Sequence, residues 1–209
     1  MIVTLEGPQG AGKTSAAIAL ALRNKKRHPS REIIANLHLT IPYKYMTLEW
    51  FVENINNTVL ENCILILDEM YQIADSRSSG TRMNKLFALF IAQARKRNVD
   101  IYFCTHQLSY VDLRLRNHAD KRGHCSYTQW ICPICKGSGL VSGIFCPFCK
   151  GFKKIGRVDI TWINRRNGSK HSGETIYPMN NFWLYYNTRE RIPITKKQLP
   201  DQESFLEVV

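Results

Sequence analysis

The stretch IVTLEGPQGAGKTSAAIALALRN, residues 2–24, decides the fold. It begins as a short apolar and β-branched segment, passes through a glycine-rich turn and continues as an Ala- and Leu-rich segment of high helix propensity. The turn, Gly7 to Thr14, satisfies the pattern G-x-x-x-x-G-K-[ST] between a predicted strand and a predicted helix, which is the context that a phosphate-binding loop (P-loop) requires. We therefore expect an α/β fold that binds a nucleotide at this loop.

Each residue type in the loop suits a nucleoside triphosphate. Glycines let backbone N–H groups converge on phosphate oxygens, and the helix N-terminus adds the positive end of its dipole. Lys13 is expected to reach the β- and γ-phosphates, and the Thr14 hydroxyl to bind Mg²⁺. The residues predicted to bind ATP are Gly7, Pro8, Gln9, Gly10, Ala11, Gly12, Lys13, Thr14, Ser15 and Asp68.

Two further apolar runs predict strands that end in polar residues. The run NCILILDEM, residues 62–70, reads as a strand buried on both faces of a parallel sheet and ends in Asp68 and Glu69. We assign Asp68 to the Mg²⁺ shell and Glu69 to the general base that activates water. The second run, DIYFCTHQ at 100–107, ends in a polar tip where Gln107 is our candidate for sensing the γ-phosphate, and we interpret His106 as structural.

The segment between these strands predicts a helix. Residues 81–100 place six apolar side chains three or four positions apart, which indicates a helix face packed on the core; these are Met83, Leu86, Phe87, Phe90, Ile91 and Ala94. Strands separated by helices predict a mainly parallel sheet. We divide the chain into an ATPase core at 1–120, a β extension at 121–190 and a C-terminal tail at 191–209.

The β extension contains aromatic and β-branched runs that predict a meander, with a cysteine-rich insertion at 132–151 between its first two strands. Cys132, Cys135, Cys146 and Cys149 have the spacing C-x₂-C-x₁₀-C-x₂-C, which predicts four thiolate ligands for a structural Zn²⁺. The phrase CPICKGSG also resembles the zinc-binding repeats of DnaJ-type chaperones. Redox use of one cysteine pair and disulfides are the alternatives, and replacing two of these cysteines is expected to leave nucleotide binding by the ATPase core intact.

Charge predicts a polyanionic partner. The chain of 209 residues has 29 Lys and Arg against 17 Asp and Glu, a formal net charge of +12. Residues 150–197 alone carry eleven basic and three acidic side chains. We find no apolar run of the roughly 18 to 20 residues that span a bilayer, and we expect an intracellular protein.

The order of these motifs resembles the FtsK/HerA superfamily of DNA-translocating ATPases. The resemblance covers residues 1 to about 118 and includes QARKRNVDI, YFCTHQ and VDLRLRN besides the two acidic and glycine-rich motifs. In particular, the chain is similar to viral genome-packaging ATPases and to the N-terminal domain of zonular occludens toxin. The resemblance implies a RecA-like core, ATP and Mg²⁺ as ligands, and a ring, usually a hexamer, in which an arginine completes the neighbouring subunit's site. The candidates are Arg77, Arg95, Arg97, Arg114 and Arg116.

Together with the resemblance, these observations predict an ATP-driven translocase of double-stranded DNA, most simply a viral genome-packaging motor that contacts capsid or portal proteins. Such a motor is expected in the cytoplasm of the host cell or in the virion. One alternative is a virion assembly and extrusion ATPase of the zonular occludens toxin type. Others are a non-motor zinc protein that binds nucleic acid and uses ATP as a switch, and a nucleotide kinase. The absence of a membrane segment and of the large extra domains of cellular FtsK and HerA favours the compact viral motor.

Overall fold

The structure, a computed structural model, describes residues 1–69, 75–78, 80–164 and 168–187. In this part the strands are β1 (Ile2–Glu6), β2 (Glu32–Ala35), β3 (Lys44–Tyr45), β4 (Cys63–Leu67), β5 (Asp100–Thr105), β6 (Lys121–Ile131), β7 (Leu140–Val141), β8 (Ile144–Phe145), β9 (Lys154–Ile163) and β10 (Lys170–Ile176). The helices are α1 (Lys13–Arg27), α2 (Leu48–Asn54), α3 (Arg82–Gln93), α4 (Leu113–His118) and α5 (Asn180–Trp183). The predicted tail at 191–209 lies outside the described residues.

One sheet of eight strands runs through the molecule in the order β10-β9-β6-β1-β5-β4-β2-β3. The strands from β6 to β3 pair in parallel, whereas β9 and β10 are added antiparallel at the β6 edge. This confirms the predicted α/β class with a mainly parallel sheet. Because β6 pairs directly with β1, through Val3 and Lys121, the strands β6, β9 and β10 extend the same sheet, whereas β7 and β8 pair with each other in a separate two-stranded sheet.

The sheet is buried on both faces, as the continuous apolar run of β4 predicts. All five residues of β4 are buried, and alternate side chains enter two different core clusters. Leu65 and Leu67 pack in the cluster that contains α3 residues, while Ile64 and Ile66 pack in the cluster that contains α1 residues. The result is a three-layer α/β arrangement.

The apolar face predicted for residues 81–100 belongs to α3 and packs into the core. Phe87, Phe90, Ile91 and Ala94 are buried. Thr81 caps the helix by accepting a hydrogen bond from the backbone N–H of Asn84. Among the described helices, none has the length and apolar character that a membrane crossing requires.

Parallel pairing fixes where the functional residues meet. The P-loop follows β1, Asp68 follows β4, and Thr105 ends β5, so all three lie at the carboxyl edge of neighbouring strands. Ligands of open α/β sheets bind at this edge.

Candidate nucleotide and metal sites

The P-loop has the backbone conformation of an anion-binding turn. Gly10 and Gly12 have φ values of 77° and 78°, a left-handed region that glycine enters without the penalty of a Cβ atom. Gly12 is the N-cap of α1 and has no side chain with which to cap the helix. The first N–H groups of a helix have no acceptor within it, so this end of α1 presents donors to an anion.

Lys13 lies folded over the loop. Its Nζ donates hydrogen bonds to the carbonyl oxygens of Gly7 and Pro8, both at 2.9 Å, and the side chain is buried. Phosphate oxygens carry more negative charge than these carbonyls and bind an ammonium more strongly. The position therefore suits Lys13 for binding a phosphate within the loop.

Thr14 and Asp68 form the second part of the site. The Thr14 hydroxyl donates to Oδ2 of Asp68 at 2.9 Å. Neighbouring ligands of an octahedral Mg²⁺, each about 2.1 Å from the metal, lie about 3 Å apart, so this oxygen pair fits the ion. Burial raises the pKa of Asp68 above its ordinary value, the Thr14 hydroxyl opposes that shift, and the charge of Glu69 adds to it. A bound cation favours the ionised form of such a carboxyl group.

Asn36, which the sequence motifs did not single out, fixes the backbone of Asp68. Its Oδ1 accepts from the N–H of Asp68 at 2.7 Å, and its Nδ2 donates to the carbonyl oxygen of Asp68 at 2.9 Å. Asn36 directly follows β2, which pairs with β4. A polar residue at the end of the apolar run EIIA is the signal that could have indicated it.

Glu69 is held in an uncommon conformation beside His106. Its φ of 50° lies in the left-handed region, where residues with a side chain are rare outside functional sites. Its Oε2 is buried without a hydrogen bond among the described residues, and Nε2 of His106 lies 3.5 Å away. A buried carboxylate oxygen of this kind is suited to accept a proton from a bound water.

The two residues at the tip of β5 face different surroundings. His106, interpreted from the sequence as structural, is the one that contacts Glu69. Gln107, our sequence-based sensor, is exposed, and its Oε1 lies 3.5 Å from the Ser109 hydroxyl. The structure thus adds His106 to the candidate residues around the attacking water.

Two of the candidate arginines lie far from the P-loop of their own chain. Arg95 and Arg97 precede Asp100, the first residue of β5, so the length of that strand separates them from the carboxyl edge. Arg97 donates to the carbonyl oxygen of Ile55 at 2.6 Å and lies over the ring of Phe90. Arg95 is exposed.

The other three arginines differ in their contacts. Arg114 forms a close ion pair with Asp112, with Nη2 and Oδ2 2.6 Å apart. Arg116 is half-buried, and within the described residues its Nε makes no hydrogen bond. The Arg77 side chain is 85% exposed. Arg77 and Arg95 are therefore the candidates whose side chains are most accessible to a neighbouring subunit.

The four cysteines of the insertion converge on one point. Their sulfur atoms all lie within 4.8 Å of one another, with 3.9 Å between Cys132 and Cys146 and 3.6 Å between Cys135 and Cys149. A tetrahedral Zn²⁺ with bonds of about 2.3 Å requires sulfurs about 3.8 Å apart. The cluster therefore fits a zinc ion, and it is buried.

The backbone turns tightly around this cluster, and its N–H groups favour the ionised form of some of the sulfurs. In each Cys-x-x-Cys-Lys-Gly phrase the Lys and the Gly both have positive φ, which turns the chain tightly around the sulfurs. Although burial opposes ionisation, backbone N–H groups of Gly139 and Gly137 lower the pKa of Cys135 to about 6. By contrast, burial raises the pKa of Cys63, in the apolar core, to about 12. Within the cluster the shifts differ, because burial and the side chain of Cys135 raise the pKa of Cys149 to about 11.

Comparisons with known proteins agree with this architecture. Residues 1–131 match the family described as zonular occludens toxin (Zot). The N-terminal domain of zonular occludens toxin from Neisseria meningitidis has a TM-score of 0.56 and 17% identity, covering 88% of this chain and 97% of that chain. Among curated proteins, no sequence matches.

Viral packaging enzymes have the same fold. The genome packaging NTPase B204 from Sulfolobus turreted icosahedral virus 2, in complex with ATP-gammaS, has a TM-score of 0.52 and 13% identity, covering 85% of this chain and 97% of that chain. The DNA-packaging ATPase B204 from Sulfolobus Turreted Icosahedral Virus gives a TM-score of 0.52 at 12% identity, with coverage of 85% and 97%. These matches confirm the predicted resemblance, and at such identities what they show is a common fold.

Proposed function

Because this chain belongs to the zonular occludens toxin (Zot) family, we propose that it is an ATP-hydrolysing motor that moves double-stranded DNA during virus assembly. The observation that carries the proposal is the meeting of Lys13, Thr14, Asp68 and Glu69 at one edge of the sheet. Lys13 binds the β- and γ-phosphates, and Thr14 and Asp68 hold Mg²⁺, which when bound neutralises phosphate charge. Glu69 orients a water and takes its proton as that water attacks the γ-phosphate, whose bond to the bridging oxygen of the β-phosphate breaks to release ADP.

The basic second half of the chain supports a nucleic-acid partner. Residues 121–158 contain no Asp or Glu but seven Lys and Arg: Lys121, Arg122, Lys136, Lys150, Lys153, Lys154 and Arg157. All except Arg122 are exposed. Contacts between such side chains and DNA phosphates are independent of base sequence, which suits a motor that moves along any DNA.

We further propose that copies of the chain form a ring, with six subunits as the expected number, in which an arginine of one subunit completes the site of the next. Such an arginine stabilises the charge that develops on the transferred phosphoryl group. Capsid or portal proteins are the expected docking partners of the ring.

Zn²⁺ at Cys132, Cys135, Cys146 and Cys149 has a structural role, because four thiolates leave no open coordination position.

The test is ATP hydrolysis with and without double-stranded DNA, together with the mass of the assembly by light scattering. We expect DNA to stimulate phosphate release, and added salt to reduce this stimulation. Lys13→Ala should abolish hydrolysis, whereas Lys26→Ala, which removes an exposed lysine from the other end of the same helix, should not. Hydrolysis without DNA stimulation or assembly would instead indicate a nucleotide-dependent switch.

The family match itself favours a second candidate, an ATPase that assembles or extrudes virions at a membrane. The two functions differ in what the protein binds. Co-purification with procapsid and double-stranded DNA supports the packaging motor. Co-purification with a membrane protein, with no stimulation by double-stranded DNA, supports extrusion.

A further inference from the structure

We infer that Tyr186 is a positioning residue of the nucleotide site, carried to the P-loop by residues 177–187, which we call the strap. This inference rests on the proposed function, because it assigns the residue to the same nucleotide site. Tyr186 lies more than 170 residues after the P-loop lysine in the sequence, and no motif indicates it. Three sets of contacts place it there.

The strap passes beside the segment that follows β2. The backbone N–H of Thr40 donates to the carbonyl oxygen of Tyr185 at 2.9 Å, and the Thr40 hydroxyl donates to that of Leu184 at 2.8 Å. Leu39 and Tyr186 form an antiparallel bridge. These contacts fix the backbone at Tyr186 and at the two residues before it.

The other end of the strap is bound to the cysteine cluster and β9 by one buried side chain. Asn180 donates to the carbonyl oxygens of Lys154 at 2.7 Å and Cys149 at 3.3 Å, and its Oδ1 accepts from the N–H of Gly156 at 3.0 Å. The side chain is fully buried, and its bonds to Cys149 and Gly156 are protected from water. The strap therefore has a defined position at both ends.

Between these anchors the Tyr186 hydroxyl reaches the P-loop helix. It contacts the Ser15 hydroxyl at 2.5 Å. Ser15 is the third residue of α1, directly after the Thr14 that is predicted to bind Mg²⁺. Burial raises the pKa of Tyr186 to about 12, so the hydroxyl keeps its proton at neutral pH.

The place of Ser15 determines what Tyr186 positions. A P-loop holds the α- and β-phosphates with N–H groups at the start of this helix. By fixing the Ser15 hydroxyl, Tyr186 orients a polar group on the nucleoside side of the phosphate chain. It thereby stabilises a bound nucleoside triphosphate, and it has little effect on a single phosphate ion in the centre of the loop.

The experiment compares Tyr186→Phe with Tyr185→Phe. Each substitution removes one hydroxyl group from the strap. Tyr185→Phe is the control, because within the described residues the Tyr185 hydroxyl makes no hydrogen bond. Dissociation constants are measured for ATP with Mg²⁺ and for inorganic phosphate, both by competition with a fluorescent nucleotide. We expect Tyr186→Phe to raise the ATP constant about threefold to tenfold, the range for one lost hydrogen bond, and to leave the phosphate constant unchanged.

Three results would overturn the inference. These are equal ATP constants for the two variants, tighter ATP binding by Tyr186→Phe, and a parallel weakening for ATP and phosphate, which indicates general distortion of the loop. The variant Lys13→Ala distinguishes an error in the inference about Tyr186 from a failure of the proposed function. If wild-type protein binds no ATP, or binds it as well without Lys13 as with it, the proposed function fails; if only the comparison of tyrosines fails, the role of Tyr186 alone is wrong.

Discussion

Glu69 shows how one residue acquires a chemical task from its position. It follows Asp68, whose side chain accepts from Thr14, and it has a left-handed backbone and a side chain that lies beside His106. The backbone conformation costs about 1–3 kcal/mol and persists only where the surrounding structure imposes it. Its amide donates to Oδ1 of Asp68 at 3.1 Å, which is part of that constraint.

We expect Glu69→Gln to reduce the rate of ATP hydrolysis by about a hundredfold to ten-thousandfold, the usual contribution of a general base. The amide has the shape of the carboxylate but cannot accept the proton of the attacking water. ATP binding should persist, because Lys13, Thr14 and Asp68 are unchanged. Phosphate release and the ATP dissociation constant are the measurements.

Glu61→Gln is the matched control, since it makes the same chemical change at an exposed position before β4. It should leave both quantities within about twofold of wild type, as expected for a surface substitution. Hydrolysis by Glu69→Gln at the wild-type rate would assign the base elsewhere, with His106, whose Nε2 lies 3.5 Å from Oε2 of Glu69, as the next candidate.

At the scale of elements, the P-loop is packed against strands from the second half of the chain. A Cβ atom on Gly12 would lie 2.3 Å from Cγ2 of Val158 in β9, and one on Gly7 would lie 2.8 Å from the carbonyl oxygen of Cys125 in β6. Gly12 therefore satisfies two demands, a left-handed backbone and close contact with β9. Gly10 has nearly the same φ, but a Cβ atom there would have no atom of the described residues within 4 Å.

Alanine substitutions at Gly10 and Gly12 distinguish the energetic cost of backbone strain from the cost of a steric clash with β9. Gly10→Ala should lower the free energy of unfolding by about 1–2 kcal/mol, the cost of a left-handed alanine. Gly12→Ala should lower it by about twice as much or more, because Val158 must also move. Urea denaturation measures both, and Val158→Ala combined with Gly12→Ala should show a favourable coupling of about 1 kcal/mol in a double-mutant cycle. Equal losses for the two glycines, with no coupling, would mean that β9 does not constrain the loop.

The elements and site residues that the sequence predicts are those whose determinants are contiguous. The P-loop, the strand before Asp68 and the apolar face of α3 each follow from spacing within a short segment. Spacing within a short segment does not predict the role of Asn36, because that role depends on β2 lying beside β4, a pairing that no local pattern specifies. The choice between His106 and Gln107 likewise depends on which side chain faces Glu69. The alternation of side chains along a strand does not determine this at the strand's irregular end.

At the scale of the whole molecule, the strap joins two sites that the sequence presents as independent. From the motifs alone, the cysteine insertion belongs to an extension whose metal can be lost without effect on nucleotide binding. In the structure Asn180 binds the carbonyl oxygen of Cys149, and six residues later Tyr186 contacts Ser15 of the P-loop helix. The cysteine cluster has little core of its own, since Ile155 is the one other buried residue in it among the described residues. A metal held by the four cysteines would therefore order the Cys149 carbonyl group, whereas the other two partners of Asn180, Lys154 and Gly156, belong to β9.

We expect removal of the metal to weaken nucleotide binding, contrary to what the motifs alone suggest. Cys132→Ser combined with Cys135→Ser removes two of four thiolates, so elemental analysis should show the loss of one zinc per chain. Without the metal, the hydrogen bond from Asn180 to the carbonyl oxygen of Cys149 weakens, and amide hydrogens of residues 177–187 exchange faster. The ATP dissociation constant then rises about threefold to tenfold, as for the loss of the Tyr186 contact.

The control is Cys63→Ala, which removes a buried core thiol at the far end of β4. It should retain zinc, exchange protection in the strap and ATP affinity. Loss of zinc with unchanged exchange in the strap would show that β9 alone holds it, and the two sites would then be independent after all.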